Sequence, residues 1–267
     1  DAKWIYVAKS VEFDNLPNAI VGYYFDPIII EYFGNINMVK RNIIARQGHA
    51  FISDWNFRNF YEINDSLKYY SLYNGGSYSL FYSDYRICVK WENDGMAIRN
   101  HKSFRNSSSL YQLKRGVGFG KRGDIVDAHI LKDNTFFTVE GMAFADLKEG
   151  ISVACLSYVN CICAQYIVNL YTAQHKQAGN MNLLPMPDYA TRQSDIERIV
   201  NAIIDIKRKW FSLDETNLEY HGLIAQMHID TTIDAALNKM QEQLTADYTR
   251  YEELVKENDD LWMDLAD

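Results

Sequence analysis

Apolar residues in the second half of the chain recur at the spacing of helix turns. The run 152–171 is nearly all apolar and keeps that spacing, which predicts one buried helix. Nearer the N-terminus, Asp26-Pro27 places a capping carboxylate before a proline, which favours a short helix that ends at Gly34-Asn35. Both patterns therefore predict helices, and the longer one is expected in the core.

Two further helical patterns lie close to the C-terminus. Residues 194–211 begin with Ser194 and Glu197 at the spacing of a capping box and continue as an apolar stripe. Residues 232–265 place apolar side chains on an inner face and Asp and Glu on the outer face. Together the two stretches predict a helical hairpin or a coiled-coil-like spacer.

Residues 40–150 instead contain short apolar runs separated by turn residues, which is typical of strands. Two of these runs, 125–131 and 135–139, are joined by Asp133-Asn134, so we expect them to pair with each other. A region of strands followed by a region of helices predicts an α+β fold.

The same patterns divide the chain into three regions. Residues 1–39 form a lead-in segment with a short helix, residues 40–190 form a mixed α/β domain, and residues 191–267 form the helical spacer.

Charge is distributed unevenly along the 267 residues, whose formal net charge is −8. Residues 40–130 hold 14 Lys and Arg against 8 Asp and Glu, whereas residues 191–267 hold 8 against 17. The first of these regions favours binding of a polyanion, and the second would repel one.

Positive charge is concentrated in the segment 113–123. Two Lys-Arg pairs flank a glycine-rich turn that also contains Phe119. Lysine and arginine beside bare backbone can approach phosphates closely, and the aromatic ring adds an apolar face. The alternative interpretation of the same residues is a solvated β-hairpin tip.

Several classes of protein are disfavoured by the composition. No apolar run approaches the length of a bilayer crossing, and the N-terminus lacks a secretion-signal pattern, so we expect a cytoplasmic protein without a membrane partner. The cysteines lack the spacing of a metal site and are predicted to be buried, reduced thiols: Cys88, Cys155, Cys161 and Cys163.

Motifs of nucleotide-binding folds, hydrolases and metalloproteases are not found in the sequence. Asp124 and Asp127 beside Lys121 are the loose candidates for a metal-dependent nuclease. Three histidines in or near the basic region are expected to be surface or contact residues and not ligands: His101, His129 and His175.

Several short motifs follow one another over about residues 20–265. They are Ala45-Arg46-Gln47-Gly48, 57–62 (FRNFYE), Tyr73-Asn74-Gly75-Gly76, 89–95 (VKWENDG), the basic segment 113–123, Leu156-x-x-x-Asn160 with Gln165-Tyr166, 179–187 (GNMNLLPMP), Lys209-Trp210-Phe211 and 257–260 (ENDD). In this order they resemble the C-terminal specificity portion of large adenine-specific DNA methyltransferases. That family includes fused type II restriction-modification enzymes and the methyltransferase of BREX phage-defence systems.

The chain departs from the family pattern in two places. Phe51-Ile52-Ser53-Asp54 replaces the usual small Thr-Gly after the Arg-Gln-Gly motif, and the glycine segment carries little of the usual Trp-Ser pattern. Recognition domains vary where they touch bases, so these departures leave the target sequence open.

The resemblance implies a division of labour between two domains. An upstream catalytic domain would bind S-adenosylmethionine and methylate the N6 amino group of adenine. This chain would be the target recognition domain with its helical spacer, and it would choose the DNA sequence. The chain lacks the Asn/Asp-Pro-Pro-Tyr loop and the glycine-rich cofactor strand of the catalytic domain. We therefore expect no catalytic residue, metal or cofactor within it.

The expected partners are double-stranded DNA, the upstream methyltransferase domain and other subunits of a defence system. The parent polypeptide would be a site-specific adenine methyltransferase, with or without a fused restriction endonuclease. The first residue is not Met and the helical arm stops where the family would continue, so we expect a piece of a longer enzyme.

Lysine and arginine contact phosphates, and Arg, Asn and Gln read base edges. For each candidate DNA contact a plain surface role is the alternative, and for the whole chain the alternative is a protein-interaction module that docks through its acidic helical arm. The candidate contacts are Arg46, Gln47, Arg58, Lys114, Arg115, Lys121, Arg122, His175, Lys176 and Gln177.

Overall fold

The computed structural model describes residues 9–34, 43–51, 57–64, 66–76, 79–172, 174–222 and 232–266. Of the stretch 51–54, where the sequence departs from the family pattern, residues 52–54 lie outside the described residues. The α+β prediction is confirmed, because helices lie beside two small sheets and a long helix ends the chain. The helices are α1 (Pro27–Gly34), α2 (Met96–Arg99), α3 (Glu149–Asn160), α4 (Ile162–Tyr171), α5 (Ala178–Met181), α6 (Gln193–Phe211) and α7 (Ile233–Ala266). The strands are β1 (Ala45–Arg46), β2 (Phe57–Asn59), β3 (Tyr69–Tyr73), β4 (Ile87–Lys90), β5 (Gly116–Gly120), β6 (His129–Leu131), β7 (Thr135–Phe137) and β8 (Gly141–Ala145).

The first sheet has the strand order β1-β8-β5-β6, and all of its pairs are antiparallel. Strand β5, one of its two inner strands, is the glycine-rich part of the basic segment, and all five of its residues are buried. The prediction of an exposed turn with Phe119 on the surface is therefore wrong. The glycines allow close strand packing, since a Cβ on Gly116 would lie 1.9 Å from the Phe144 carbonyl oxygen.

The second sheet has the strand order β2-β4-β3-β7, and β7 runs parallel to β3. The prediction that the runs at 125–131 and 135–139 pair with each other is therefore wrong, because β6 and β7 belong to different sheets. The turn between them contains Asn134 at φ 61°, and its backbone bonds to Leu113 instead of closing a hairpin. Thr135 then faces Ser71 of β3.

The apolar run 152–171 forms two helices and not one. Helices α3 and α4 are bent by 68° at Cys161, whose backbone is extended. Two side chains give α4 its own N-terminal caps: the Cys161 sulfur accepts from the Ala164 N–H, and the Asp259 carboxylate accepts from the Ile162 N–H. The second cap comes from a residue 97 positions away, so local periodicity could not predict the break.

Helices α6 and α7 form the predicted antiparallel hairpin. Arg198 near the start of α6 pairs with Glu257, while Lys209 near its end pairs with Asp247. The capping-box prediction is wrong: α6 begins at Gln193, so Ser194 lies inside its first turn, and the Gln193 amide donates to Glu197.

The C-terminal half of α7 buries one face, on which Leu254 and Trp262 are both 0% exposed, whereas Ile233 at the other end of the helix is 72% exposed. No single helix in the described residues is long and apolar enough to cross a membrane, and only the bent pair of α3 and α4, taken together, has the length and composition to do so.

Of the cysteines, Cys88, Cys155 and Cys161 are buried as predicted, and Cys163 is half-buried.

The largest hydrophobic core joins parts of the chain that are far apart in sequence. Tyr32 of α1, Phe119 of β5, Tyr158 of α3, Ile199 of α6 and Trp262 of α7 belong to one buried cluster. A smaller cluster of mainly aromatic residues packs against the second sheet. The position of β5 in the first sheet is therefore coupled to the helices behind it.

We expect Gly116→Ala to lower the free energy of unfolding by about 2–4 kcal/mol, because the new methyl group would overlap a carbonyl of β8. Gly179→Ala is the matched control, since no atom lies within 4 Å of the position of its Cβ. Urea unfolding of both variants measures the difference. Equal stability of Gly116→Ala and the unmodified chain would contradict the close packing of β5.

Candidate nucleic-acid interface

The two Lys-Arg pairs of the basic segment lie at opposite ends of β5. Lys114-Arg115 precede the strand and Lys121-Arg122 follow it. A five-residue strand is about 17 Å long, so the two pairs cannot form one patch. The single cationic cluster expected from the sequence is therefore two separate sites.

The first pair is neutralised by carboxylates from other segments. Lys114 Nζ lies 3.0 Å from Asp146, and the Arg115 guanidinium lies 3.4 Å from both Asp133 and Glu149. These pairs are half-exposed, so each one contributes little to stability. They nevertheless reduce the positive potential at this end of the strand.

The second pair shares one carboxylate. Lys121 and Arg122 lie 2.9 Å and 3.6 Å from Glu140, and the Arg122 side chain remains 69% exposed. Arg122 also forms an antiparallel bridge with His175, and the Lys176 N–H donates to the Lys121 carbonyl. The structure therefore brings Lys121, Arg122, His175 and Lys176 together.

Lys176 is the member of this group that faces inward. It is 1% exposed, and its ammonium donates to the Gly123 carbonyl at 2.8 Å. Burial lowers the pKa of this ammonium. Its contact holds the loop after β5 in place, while the neighbouring His175 and Gln177 are exposed.

The nuclease candidates do not converge in the described residues. Asp127 accepts the Gly120 N–H and so fixes the end of β5, whereas Lys121 binds Glu140. Asp124 is exposed. In the part of the chain that the structure covers, no three His, Cys, Asp or Glu side chains are grouped so that they could hold a metal ion.

Arg46 and Gln47 lie at the edge of the first sheet, where β1 pairs with β8 alone. The Arg46 guanidinium carbon lies 3.5 Å from the centre of the Tyr111 ring. The Gln47 side chain is exposed, and the backbone carbonyl of Gln47 accepts hydrogen bonds from the hydroxyls of Ser107 and Ser108. This edge strand is thereby tied to the loop at 99–109.

Arg58 lies elsewhere, on the edge strand β2 of the second sheet. Its side chain is exposed, and its guanidinium donates to the Phe57 carbonyl.

His129 was expected at the surface, but it is fully buried against Tyr73 and Tyr85. The expectation for His129 is therefore wrong, because β6 packs beside the glycines of β5, which leave room for its ring.

Two further basic residues lie on this surface but are not among the contacts predicted from the sequence. Lys102 and Arg105 are exposed on the loop 99–109, and neither forms an ion pair within the described residues. The signal was present in the sequence: residues 95–123 contain seven Lys and Arg and not one Asp or Glu. The four cations of the basic segment pair with carboxylates elsewhere in the fold, whereas Lys102 and Arg105 pair with none among the residues that the structure describes.

The loop that carries Lys102 and Arg105 is well anchored. Arg105 exchanges both backbone hydrogen bonds with Ala50, at 3.1 and 3.3 Å. The Ser107 N–H donates to the buried His49 ring at 3.1 Å, and Phe104 packs against the same ring. Burial is the main cause that lowers the pKa of His49 to about 4, so the ring is neutral near pH 7 and can accept this hydrogen bond.

No protein-family model and no curated protein matches the sequence. Among solved structures, the chain is similar to the Type IIL restriction-modification enzyme MmeI in complex with DNA, with a TM-score of 0.44 and 8% sequence identity. The similarity covers 87% of this chain and 36% of that enzyme. This is a weak similarity of backbone structure, and no functional role of a residue in that enzyme can be assigned to this chain from it.

We expect the free energy of unfolding to fall by about 2 kcal/mol per buried histidine between pH 7 and pH 5. Burial lowers the pKa of His49 and of His129 from 6.5 to about 4, so the folded state binds fewer protons than the unfolded state in this range. The stability is therefore present above pH 6.5 and is lost as the pH falls towards 4.

Urea unfolding as a function of pH tests this expectation. His129→Gln should remove about half of the decline while the other half, due to His49, persists. A free energy of unfolding that does not change between pH 7 and pH 5 would show that the folded and unfolded states take up protons equally, so that the pKa values of these rings are not lowered.

Proposed function

We propose that this chain is a sequence-specific DNA recognition module, without catalytic residues of its own, for a DNA N6-adenine methyltransferase. One observation carries the proposal: in a chain of net charge −8, a stretch of 29 residues at 95–123 contains seven cations and no acid. Within this stretch, Lys102 and Arg105 are presented without carboxylate partners in the described residues, beside Arg46 and Gln47. Cations that are free to exchange counterions for phosphates are what duplex binding needs.

The candidate residues would contribute unequally to DNA binding. Lys102 and Arg105 would bind phosphates, and Arg122 with His175 would extend the surface past the end of β5. Lys114 and Arg115 would contribute less because carboxylates already bind them. Arg46 and Gln47 have the side chains that read base edges.

The chemistry would belong to an upstream domain of the same polypeptide. The ordered motifs of this chain support that part of the proposal through their resemblance to the specificity portions of adenine methyltransferases. The upstream domain would bind S-adenosylmethionine and rotate the target adenine out of the duplex, while this chain holds the flanking DNA. A restriction-modification or phage-defence system in the cytoplasm is the setting in which such an enzyme works.

The test is selection of duplexes from a random pool by this 267-residue chain, at low and at moderate salt, followed by sequencing of the retained DNA. An enriched motif with salt-sensitive binding is the expected result. Retention of no duplex at either salt concentration would refute DNA recognition by this chain.

The logarithm of the DNA-binding constant falls linearly with the logarithm of the salt concentration, with a slope of about −0.9 for each phosphate contact. We expect Lys102→Gln combined with Arg105→Gln to reduce the magnitude of this slope by about two, because two phosphate contacts are lost. The matched control is Lys239→Gln combined with Lys256→Gln, which changes the net charge equally on the acidic helix α7. Titration of a labelled duplex at several salt concentrations gives both slopes. The same slope in both variants would place the phosphate contacts outside the loop.

A protein-interaction module is the second candidate, and the exposure of α7 favours it. Ile233, Leu237 and Tyr248 are 72%, 44% and 54% exposed in the N-terminal half of this helix. An apolar row of this kind on an acidic helix is typical of a face that binds another protein. If this is the function of the chain, neutralising Lys102 and Arg105 would leave the activity of the intact enzyme unchanged, whereas Leu237→Asp would reduce it.

A further inference from the structure

Arg46 differs from the other arginines of the candidate surface in what it binds. Arg58 and Arg105 donate to backbone carbonyls, and Arg115 and Arg122 pair with carboxylates. Within the described residues Arg46 has no hydrogen-bond or ion-pair partner, and its Nε atom is buried. A buried donor without an acceptor is costly in a folded protein, and because the Nε atom is enclosed, a ligand would be bound by the two terminal guanidinium nitrogens.

The side chain of Arg46 is nevertheless held in one orientation. Its guanidinium lies 3.5 Å from the centre of the Tyr111 ring, which is close enough for stacking. The ring packs on the buried cluster that contains Phe137, and the next residue, Gln112, exchanges two hydrogen bonds with the Phe137 backbone, at 3.1 and 2.9 Å. The plane of the guanidinium is therefore set before any ligand binds.

The position of Arg46 places it beside the loop that would bind phosphates. It lies on β1, the edge strand of the first sheet, where the Asn182 side chain exchanges two hydrogen bonds with the Ala45 backbone and no further strand pairs among the described residues. The Gln47 carbonyl binds Ser107 and Ser108, and Ala50 pairs with Arg105. A duplex whose backbone contacts Lys102 and Arg105 would thus bring its bases towards β1.

We propose that Arg46 is a specificity-determining residue that donates two parallel hydrogen bonds to O6 and N7 of one guanine in the major groove. A planar fork with two parallel donors matches these two acceptors, which no other base presents together. The stack on Tyr111 removes most of the conformational entropy that a free arginine would lose on binding. This assignment rests on the DNA-recognition function proposed above and adds which residue reads a base and which base it reads.

The experiment compares two identical substitutions in the 267-residue chain. Arg46→Lys keeps the charge and removes the planar fork. Arg99→Lys is the matched control, because Arg99 also lies over an aromatic ring, Trp91 at 5.2 Å, but its guanidinium is bonded to Asp94. Each variant is subjected to the same selection from random duplexes, and its affinity is measured for the selected motif and for duplexes with single base changes. Thermal unfolding confirms that both variants are folded.

The expected result is that the unmodified chain selects a motif with a required guanine. Arg46→Lys then loses about 10- to 100-fold of the discrimination at that guanine. Its affinity for duplexes without the motif stays within about twofold of the original. Arg99→Lys selects the original motif. Tyr111→Leu should weaken the same guanine preference through loss of the stack, and Tyr111→Phe should keep it.

Three outcomes would overturn the assignment. Equal weakening of all duplexes by Arg46→Lys would make Arg46 a phosphate contact. An unchanged motif would place Arg46 outside the reading surface, and binding by the unmodified chain without any motif would mean that it reads no base. In all three cases DNA binding itself survives, whereas absence of DNA binding by the unmodified chain would refute the proposed function instead.

Discussion

The close approach of β5 to β8 is the constraint on which the rest of the structure depends. Glycines at alternate positions let the two backbones and the neighbouring rings come together, since a Cβ on Gly118 would lie 3.0 Å from both His129 and Tyr73. The residues between them, Val117 and Phe119, are then fully buried in the core that α3, α6 and α7 share. The same strand separates the two Lys-Arg pairs. Its packing therefore decides both the core and the distribution of charge.

Features specified by neighbouring residues could be predicted from the sequence. Helix α1 follows its Asp-Pro start, and α7 follows from apolar periodicity over more than thirty residues. Strand β5 could not be predicted, because glycines usually indicate turns and its strand conformation depends on partners that lie elsewhere in the chain. The break between α3 and α4 depends on Asp259 in the same way.

In the candidate site, too, some features could be predicted from the sequence and others depend on residues that are distant in the chain. Residue type singled out Arg46 and Gln47, and the structure places Arg46 on the edge strand of the first sheet and Gln47 directly after it. Whether a cation keeps its charge unpaired is a property of the fold: Lys114 meets Asp146, which is 32 residues away. Clusters of like charge do not indicate Lys102 and Arg105, because these two cations are isolated in sequence; the indicator for them is the absence of acidic residues from 95–123.

A buried polar group fixes the register of α7. The Asn258 amide donates to the Ser157 carbonyl, and the Trp262 indole donates to the Ser157 hydroxyl at 2.7 Å, so the helix cannot slide along α3 without breaking both bonds. A helix of 34 residues is about 51 Å long. The N-terminal end of α7 is thus held at a distance and a rotation from this anchor that depend on the number of residues between them. One residue inserted on the N-terminal side of Asn258 would rotate the part of α7 that precedes the insertion by about 100° about the helix axis and shift it along the axis by about 1.5 Å.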